Sequence, residues 1–388
     1  MSPAAWRVST AQISARRLFL TPWAEERTCQ KLGTSGHRNN SSGKSIVHKF
    51  IILQVIPLAS WDEATANRLT SFTLVVRRVT LSVVQTINLI ELNWLGHPRS
   101  IAANLMLAGE QRFLVDPGPA STLPTLTAEL AALGVKIPDL DAILLTHIHL
   151  DHAGATGSLV RQNPRMKVFV HAKGAPHMVD PSKLLGSAVR LYGDKMETMY
   201  GAFLPVPRDN LQVLNGGETL RFGKRELRVL YTPGHASHHV TYFDTTDGVA
   251  FVGDNTGICV KGNPFILPAT PPPDINLELW NASLDAIAAL HPHRLFLTHF
   301  GFSDDPARHI ESYRQCLAHW GELVRTLLST NKDEADAMKA FSNAVYKDAA
   351  QTLSAEEADH YVFNGALDLS WMGLARYHRK RATSAAQG

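Results

Sequence analysis

Short apolar runs separated by turn residues recur through the middle of the chain and predict a series of β-strands. Three runs follow one another at residues 88–95, 101–107 and 112–115, and the third ends in the turn sequence Asp-Pro-Gly-Pro. Further runs predict strands at residues 141–146, 167–170, 227–231, 240–243, 249–252 and 295–297. Leucine and alanine at helical spacing predict a helix over residues 122–133, and residues 276–290 are also predicted to be helical. Two sheets of such strands, flanked by helices, would form an α/β sandwich.

Helical patterns also dominate two regions outside these strands. Residues 174–203 are less regular and rich in Met and Tyr, which favours core or lid packing over the wall of a substrate pocket. As part of such a wall, Tyr192 and Tyr200 could donate hydrogen bonds to a substrate carbonyl. Residues 306–377 predict about three helices, so residues 305–388 are expected to form a helical C-terminal extension that could supply a homodimer face.

The N-terminal segment, residues 1–86, differs in composition from the rest of the chain. Its first fifty residues contain eight Lys or Arg and only two acids, and residues 32–45 are rich in Gly, Ser, Asn and Lys. This composition favours a poorly ordered extension over an organellar targeting segment or a signal peptide. The apolar run at residues 50–58 is too short to span a bilayer, so we expect no membrane association.

Composition and charge narrow the class of protein. The chain has 388 residues, of which 45% are hydrophobic and 19% charged, as is typical of a folded protein with a large core. The net charge of +3 is too small to indicate nucleic acid as the main partner. Cys29, Cys259 and Cys316 are widely spaced and form no CxxC motif, which favours a reducing compartment such as the cytoplasm.

Residues 146–152, Thr-His-Ile-His-Leu-Asp-His, concentrate reactive side chains at the end of a predicted buried strand. Imidazole and carboxylate groups are the ligands of Zn²⁺ and similar ions in catalytic sites. Because alternate residues of an extended segment project to one side, His147 and His149 can hold one ion. Asp151 and His152 are displaced along the chain and could hold a second ion. A surface histidine-rich turn is the alternative, which the full pattern after an apolar strand disfavours.

The same arrangement, a His or Asp at the turn after a short apolar strand, recurs three more times. His235, Asp254 and His299 each follow one of the predicted strands. Seven such residues suit two ions, each with an open position for water. We expect one ion to be held by His147, His149 and His235. We expect the other to be held by Asp151, His152 and His299, with Asp254 bridging both.

These motifs resemble those of the metallo-β-lactamase-fold hydrolase superfamily. The matching stretches are residues 114–118, 146–152, 232–235, 251–254 and 297–299, so the resemblance covers about residues 88–302. It implies a four-layer αββα sandwich with two mixed sheets over residues 87–304, followed by the helical extension, and a binuclear metal site. It also implies that Asp116 does not bind an ion but braces residues 146–152, here called the metal loop.

Within this superfamily, the resemblance favours glyoxalase-II-like and lactonase-like members. Asp254 stands where β-lactamases of the best-known subclass carry Cys, and His149 stands where flavo-diiron oxidoreductases carry Glu. The 44 residues between Asp254 and His299 leave no room for the inserted domain of many nucleic-acid-processing members. We therefore expect a hydrolase of an ester, lactone or thioester bond in a small molecule. The alternatives are a phosphodiesterase or ribonuclease, a β-lactam hydrolase, and a non-catalytic metal-binding protein.

The expected mechanism uses both ions to activate one water, which attacks the substrate carbonyl while an ion stabilises the oxyanion. Asp151 and Asp254 are the expected catalytic carboxylates, with Asp254 relaying a proton. Zinc is the default metal for these ligand types, and iron or manganese fit the same donors. His171 follows a predicted strand and is a candidate substrate contact, although a structural histidine is the more common interpretation of such a residue.

Overall fold

The computed structural model describes residues 86–260 and 265–385. The predicted N-terminal extension therefore lies outside the described residues, apart from its last residue. The described residues contain twelve strands: β1 (Ile87–Glu91), β2 (Ala102–Ala108), β3 (Gln111–Val115), β4 (Ala142–Leu144), β5 (Lys167–His171), β6 (Leu211–Leu214), β7 (Thr219–Phe222), β8 (Arg225–Tyr231), β9 (Val240–Asp244), β10 (Val249–Gly253), β11 (Arg294–Leu297) and β12 (Gly301–Ser303).

The same residues contain eleven α-helices: α1 (Leu123–Ala132), α2 (Leu150–Ala153), α3 (Thr156–Gln162), α4 (Ala175–Val179), α5 (Ser182–Tyr192), α6 (Met196–Tyr200), α7 (Leu277–Ala288), α8 (Pro306–Thr330), α9 (Glu334–Ala349), α10 (Ala355–Gly365) and α11 (Leu367–Ala385). The helices predicted over residues 122–133 and 276–290 correspond to α1 and α7. The less regular region 174–203 contains α4, α5 and α6.

The strands form two mixed sheets of six strands each. The first has the order β1-β2-β3-β4-β5-β6, and it is antiparallel from β1 to β3 and parallel from β3 to β6. The second has the order β12-β11-β10-β9-β8-β7, and its one parallel pair is β10 with β11. Parallel neighbours end at the same edge of a sheet, so the loops that follow them lie close together.

Three hydrophobic clusters show how the layers pack. One lies between the sheets, where Phe113 of β3 stacks on Phe222 of β7 with ring centroids 4.2 Å apart. A second joins the other face of the first sheet to α1 and α3, and a third joins the second sheet to α7 and the C-terminal helices. Along β2, Leu105 packs in the second cluster and Met106 in the first, as the alternation of a strand requires. This order of layers confirms the predicted αββα sandwich.

The strand predictions were wrong at several points. Residues 88–95 do not form one strand, because β1 ends at Glu91, and Asn93 and Leu95 have φ angles of 47° and 53° that a strand does not allow. The pattern also missed β6, β7 and β12. All three are short and lie at the edges of their sheets, where the apolar signal of a strand is weakest.

The C-terminal region forms four helices, α8 to α11, rather than the predicted three or so. Phe341 of α9 is fully buried between Trp320 of α8 and Trp371 of α11, with ring centroids 5.2 and 6.0 Å away. These helices share one hydrophobic cluster with α7 and the second sheet. The domain boundary at residue 305 stays a prediction. Within the described residues, no helix combines the length and apolarity that a bilayer crossing needs.

Candidate metal centre

Asp116, directly after β3, holds the loop that links β4 to α2. Its fully buried carboxylate accepts hydrogen bonds from the backbone N–H and the hydroxyl of Thr146, at 2.8 and 2.7 Å. It also accepts from His152 Nδ1 at 2.9 Å and from the hydroxyl of Thr298, which follows β11, at 3.0 Å. One carboxylate therefore ties the loop after β4 to the loop after β11, across the two sheets.

Three imidazoles converge in a first group. His147 Nε2 lies 3.0 Å from His149 Nδ1, and that nitrogen lies 2.9 Å from His235 Nε2. The first two residues belong to the loop after β4 in the first sheet, whereas His235 belongs to the loop after β8 in the second. Donor atoms of these three residues and of Asp254 all lie within 4.8 Å of one another.

A second group contains Asp151, His152 and His299, whose donor atoms also lie within 4.8 Å of one another. His299 Nε2 is 3.1 Å from Asp151 Oδ2, and His152 Nε2 is 3.7 Å from the same oxygen. Asp151 and His152 lie in the short helix α2, and His299 follows β11. The second group therefore also depends on contacts between the two sheets.

Asp254, directly after β10, lies between the two groups. Its Oδ2 is 3.4 Å from His235 Nε2 and 4.0 Å from His147 Nε2, both in the first group. Its Oδ1 is 3.1 Å from His152 Nε2 and 3.6 Å from His299 Nε2, both in the second group. The structure therefore brings all seven candidate ligands together, while their binding of ions stays a prediction.

Hydrogen bonds at Nδ1 set the orientation of the ligand rings. His235 Nδ1 donates to the carbonyl of Ala269 at 2.9 Å, and His299 Nδ1 donates to the carbonyl of Ser100 at 2.7 Å. Because a carbonyl can only accept, each Nδ1 carries the proton, and a neutral ring then presents a lone pair at Nε2. The Nε2 atoms of both rings therefore face the site as potential metal donors.

Burial keeps the imidazoles of the first group neutral. It lowers the pKa of His147 well below its ordinary value, and the neighbouring imidazoles lower that pKa further. Burial also lowers the pKa of His149 to about 4 and lowers the pKa of His235. Because metal ions bind neutral imidazole, these three residues are in the ligand form near neutral pH.

The second group couples imidazoles to carboxylates. Burial disfavours a charged His152 ring, but Asp254 and Asp151 outweigh burial and raise the pKa of His152 well above its ordinary value. The same two carboxylates raise the pKa of His299 against the effect of burial. In turn, the imidazoles hold the pKa of Asp254 well below its usual range and lower the pKa of Asp151 to about 2, although burial opposes both shifts. Both carboxylates are therefore ionised and suited to a cation.

The donor set fits divalent metal ions. Neutral imidazole nitrogens that converge at about 3 Å repel one another through their lone pairs unless a cation or a proton lies among them. His152 Nε2 and Asp254 Oδ1 are buried and lie 3.1 Å apart, but neither atom makes a hydrogen bond of good geometry, so a bound ion would satisfy both better than they satisfy each other. Both groups combine imidazole with carboxylate, as catalytic zinc sites do. The two groups therefore indicate divalent-metal binding.

Gly234 lets helix α7 approach the ligand His235. Its φ of +145° is strained for other residues, and a Cβ there would lie 2.4 Å from both Cα and Cβ of Trp280. We expect Gly234→Ala to lower the free energy of unfolding by about 2–4 kcal/mol, through backbone strain and overpacking. Urea unfolding followed by circular dichroism measures this loss.

A second glycine variant provides the control. Gly186 lies inside α5 with nothing within 4 Å of its Cβ position, so Gly186→Ala should leave stability unchanged or raise it by up to about 1 kcal/mol. Equal unfolding midpoints for Gly234→Ala, Gly186→Ala and the parent protein would contradict the proposed close approach at Gly234.

A cavity of about 390 Å³ opens onto the metal centre, which is within the range of small-molecule sites. Residues of both ligand groups line it, including His149, Asp151 and His299. The remaining walls come from α5, α6, the segment after β1, the proline-rich loop before α7, and the junction of α10 with α11. The C-terminal helices therefore contribute directly to the shape of the site.

The structure places the three candidate substrate contacts differently. Tyr192 and Tyr200 line the cavity with ring centroids 4.9 Å apart. Burial raises the pKa of Tyr192 to about 12 and that of Tyr200 well above its ordinary value, so both hydroxyls keep their protons. His171 does not line this cavity, because its ring stacks on Tyr231 at a centroid distance of 4.4 Å. The structure therefore gives no support for His171 as a substrate contact.

Several residues that line the cavity or orient a ligand ring were not predicted from the sequence. Trp94 and Phe363 line the cavity with ring centroids 5.6 Å apart, although they lie near opposite ends of the described chain. The carbonyls of Ser100 and Ala269 orient two ligand rings. No local sequence pattern marks a single aromatic residue or a backbone carbonyl, so these contributions become visible only in three dimensions.

Comparison with known sequences agrees with this architecture. The family model of the metallo-beta-lactamase superfamily matches residues 98–299. The chain is 28% identical over 205 residues to the metallo-beta-lactamase fold-containing protein ST1585 of Sulfurisphaera tokodaii. The aligned region covers 52% of this chain and 73% of that protein. It is 31% identical over 205 residues to a hydroxyacylglutathione hydrolase of Aeromonas hydrophila, covering 50% of this chain and 63% of that enzyme. The match thus spans less than two thirds of the length of the Aeromonas enzyme.

Solved structures show the same fold. The structure of ST1585 superposes with a TM-score of 0.55 at 23% identity and covers 75% of this chain and 98% of that chain. The metallo-beta-lactamase family protein TTHA1429 from Thermus thermophilus superposes with a TM-score of 0.58 at 22% identity. This superposition covers 76% of this chain and 94% of that chain. The family model covers the strands and loops that carry all seven candidate ligands. The chain therefore belongs to the metallo-beta-lactamase superfamily and is a metal-dependent hydrolase.

Proposed function

We propose that this hydrolase cleaves an ester, lactone or thioester bond of a small substrate, with two divalent ions held by the seven ligand residues. The observation that carries this proposal is the position of Asp254. Its two oxygens face different ligand groups, and the cavity reaches both groups. A carboxylate in this position can bridge two ions at the point where a substrate carbonyl would enter.

The ions would supply Lewis acidity and lower the pKa of a water molecule, which this chain's side chains cannot do alone. The chain itself holds the donor atoms in place, since the Nδ1 protons of His235 and His299 are committed to backbone carbonyls. Such outer hydrogen bonds fix ring orientation and raise the basicity of the ligand nitrogen.

The proposed reaction adds the oxygen of water to the substrate carbonyl carbon and breaks the bond from that carbon to the leaving oxygen or sulfur. One proton of the water passes to the leaving group. Asp151 and Asp254 both line the cavity, so either carboxylate can receive this proton and return it.

Carbonyl chemistry is also supported by one of the relatives. The Aeromonas hydrophila relative is named hydroxyacylglutathione hydrolase, which is a hydrolase of a thioester. We propose zinc as the metal because imidazole and carboxylate donors suit it, with iron or manganese as alternatives. We further propose a cytoplasmic location, no nucleic-acid partner, and a homodimer formed through the C-terminal helices, which sedimentation velocity can test.

The test combines metal analysis with a substrate panel. Bound metal is measured by plasma mass spectrometry, and we expect about two ions per chain, as in other two-metal hydrolases. Turnover is then measured on a lactone, a glutathione thioester, nitrocefin and bis-p-nitrophenyl phosphate, each with and without chelator. Chelator-sensitive hydrolysis of the lactone or the thioester supports the proposal. Turnover of the phosphodiester or the β-lactam alone would contradict it.

A further inference from the structure

One wall of the cavity is the apolar face of helix α5. Leu184, Ala188 and Leu191 lie at helical spacing on one side of this helix, and all three line the cavity. Ala188 is buried in the core cluster and Leu184 packs partly against it. Leu191 is half-buried and belongs to none of the hydrophobic clusters. Its side chain therefore presents apolar surface to the cavity that the described residues do not cover.

A second apolar surface of the cavity is an aromatic wall. The Trp94 ring lies 5.7 Å from the Tyr200 ring and 5.6 Å from the Phe363 ring, measured between centroids. The indole N–H of Trp94 donates to the carbonyl of Met199 at 2.6 Å, which fixes the plane of the ring. This wall joins the segment after β1 to α6 and α10, so it is a rigid apolar surface built from three distant parts of the chain.

Outside the metal centre, the cavity carries few charges. Among the residues that the structure describes, the charged ones that line it there are Lys173, Lys183 and Asp274, and neither Arg nor Glu is present in this lining. The Lys173 ammonium donates to the Tyr231 hydroxyl at 2.8 Å, and the Asp274 carboxylate accepts from the Ser237 hydroxyl at 2.5 Å. Sites that select phosphate or several carboxylates usually offer bidentate Arg. This lining instead suits an uncharged or singly charged apolar ligand.

We propose that the substrate carries an extended apolar group, which packs against the α5 face and the aromatic wall while its carbonyl meets the metal centre. This inference rests on the proposed ester, lactone or thioester hydrolysis and names its substrate class. Burial of each methylene group against these walls stabilises the complex, so the specificity constant rises with chain length until the cavity is full. The geometry leaves two positions for the apolar group, namely the acyl side and the alcohol side of the bond.

Two substrate series separate these positions in the metal-loaded full chain. One series varies the acyl group of p-nitrophenyl esters from acetyl through butanoyl and octanoyl to dodecanoyl. The other keeps acetyl and varies the alcohol from methyl through butyl to octyl. In at least one of the two series, kcat/KM should rise at least about tenfold from the shortest ester to the best ester. S-lactoylglutathione serves as the multiply charged comparison and should be a poorer substrate than the best ester.

Leu191→Asp tests the α5 wall, and Val189→Asp is its matched control. Val189 is on the same helix, is 53% exposed and does not line the cavity. We expect Leu191→Asp to lower kcat/KM for the best long-chain ester at least about tenfold more than it lowers kcat/KM for the acetyl ester, since only the long chain meets the new charge. Val189→Asp should retain the full preference. Leu191→Trp provides a second variant, which should shift the optimum to a shorter chain by filling space.

The outcomes distinguish this inference from the function on which it rests. Hydrolysis of every series member at similar rates, or a preference for the glutathione thioester, would overturn the apolar substrate class and leave ester-type hydrolysis standing. A loss of chain-length preference in Val189→Asp equal to that in Leu191→Asp would also overturn it. Failure of the metal-loaded chain to hydrolyse any ester, lactone or thioester would overturn both proposals.

Discussion

Asp254→Asn will remove almost all hydrolytic activity and lower the bound-metal content. The amide keeps the shape of the side chain, but it loses the negative charge and replaces one oxygen by an NH₂ group that cannot bind a cation. Asp254 faces both ligand groups, so neither ion would keep its full set of donors. Loss of several kcal/mol of transition-state stabilisation corresponds to a fall in kcat of at least about a thousandfold.

The measurement is kcat with the best substrate of the panel, together with metal content from plasma mass spectrometry. Asp209→Asn is the control, because Asp209 is exposed and lies outside the cavity and both ligand groups. It removes the same charge and should keep activity and metal content within about twofold, since surface charges away from a site have small effects. A fully active Asp254→Asn variant that keeps both ions would refute the bridging role.

The candidate ligands of the metal centre could be predicted from the sequence because each of them follows the end of a strand. His149, Asp254 and His299 each come shortly after an apolar run, and parallel strands end at one edge of a sheet. The packing of the two sheets then brings these edges together. This is a regular consequence of layered folds, so residue type and position relative to a strand were enough to nominate all seven side chains.

The cavity walls could not be predicted in the same way. Trp94 and Phe363 meet because the C-terminal helices pack on the second sheet and reach back over the metal centre. That contact depends on the packing of helices that are far apart in the sequence. Hydrophobic periodicity, which predicts individual helices and strands, does not predict such a contact. His171 also follows a strand, but its ring stacks on Tyr231 and lies outside the cavity, so a position after a strand does not by itself separate a ligand from a structural histidine.

Asp116→Ala should lower both the stability of the fold and the affinity for metal. The fully buried carboxylate accepts four hydrogen bonds, from two groups of Thr146 and from His152 and Thr298. Its removal leaves buried donors without partners, and we expect a loss of about 3–5 kcal/mol in the free energy of unfolding. The His152 ring loses its orientation, and metal affinity should fall about 10–100-fold.

Asp244→Ala separates these two effects. Asp244 is also fully buried and forms an ion pair with Arg225, but it lies at the end of β9 away from the metal loop. We expect a comparable loss of stability in Asp244→Ala, measured by urea unfolding with chelator present. Its metal affinity, measured by calorimetry on the folded protein, should match that of the parent. Equal loss of affinity in both variants would mean that Asp116 acts only through global stability, because a specific brace for His152 must affect metal binding beyond its effect on folding.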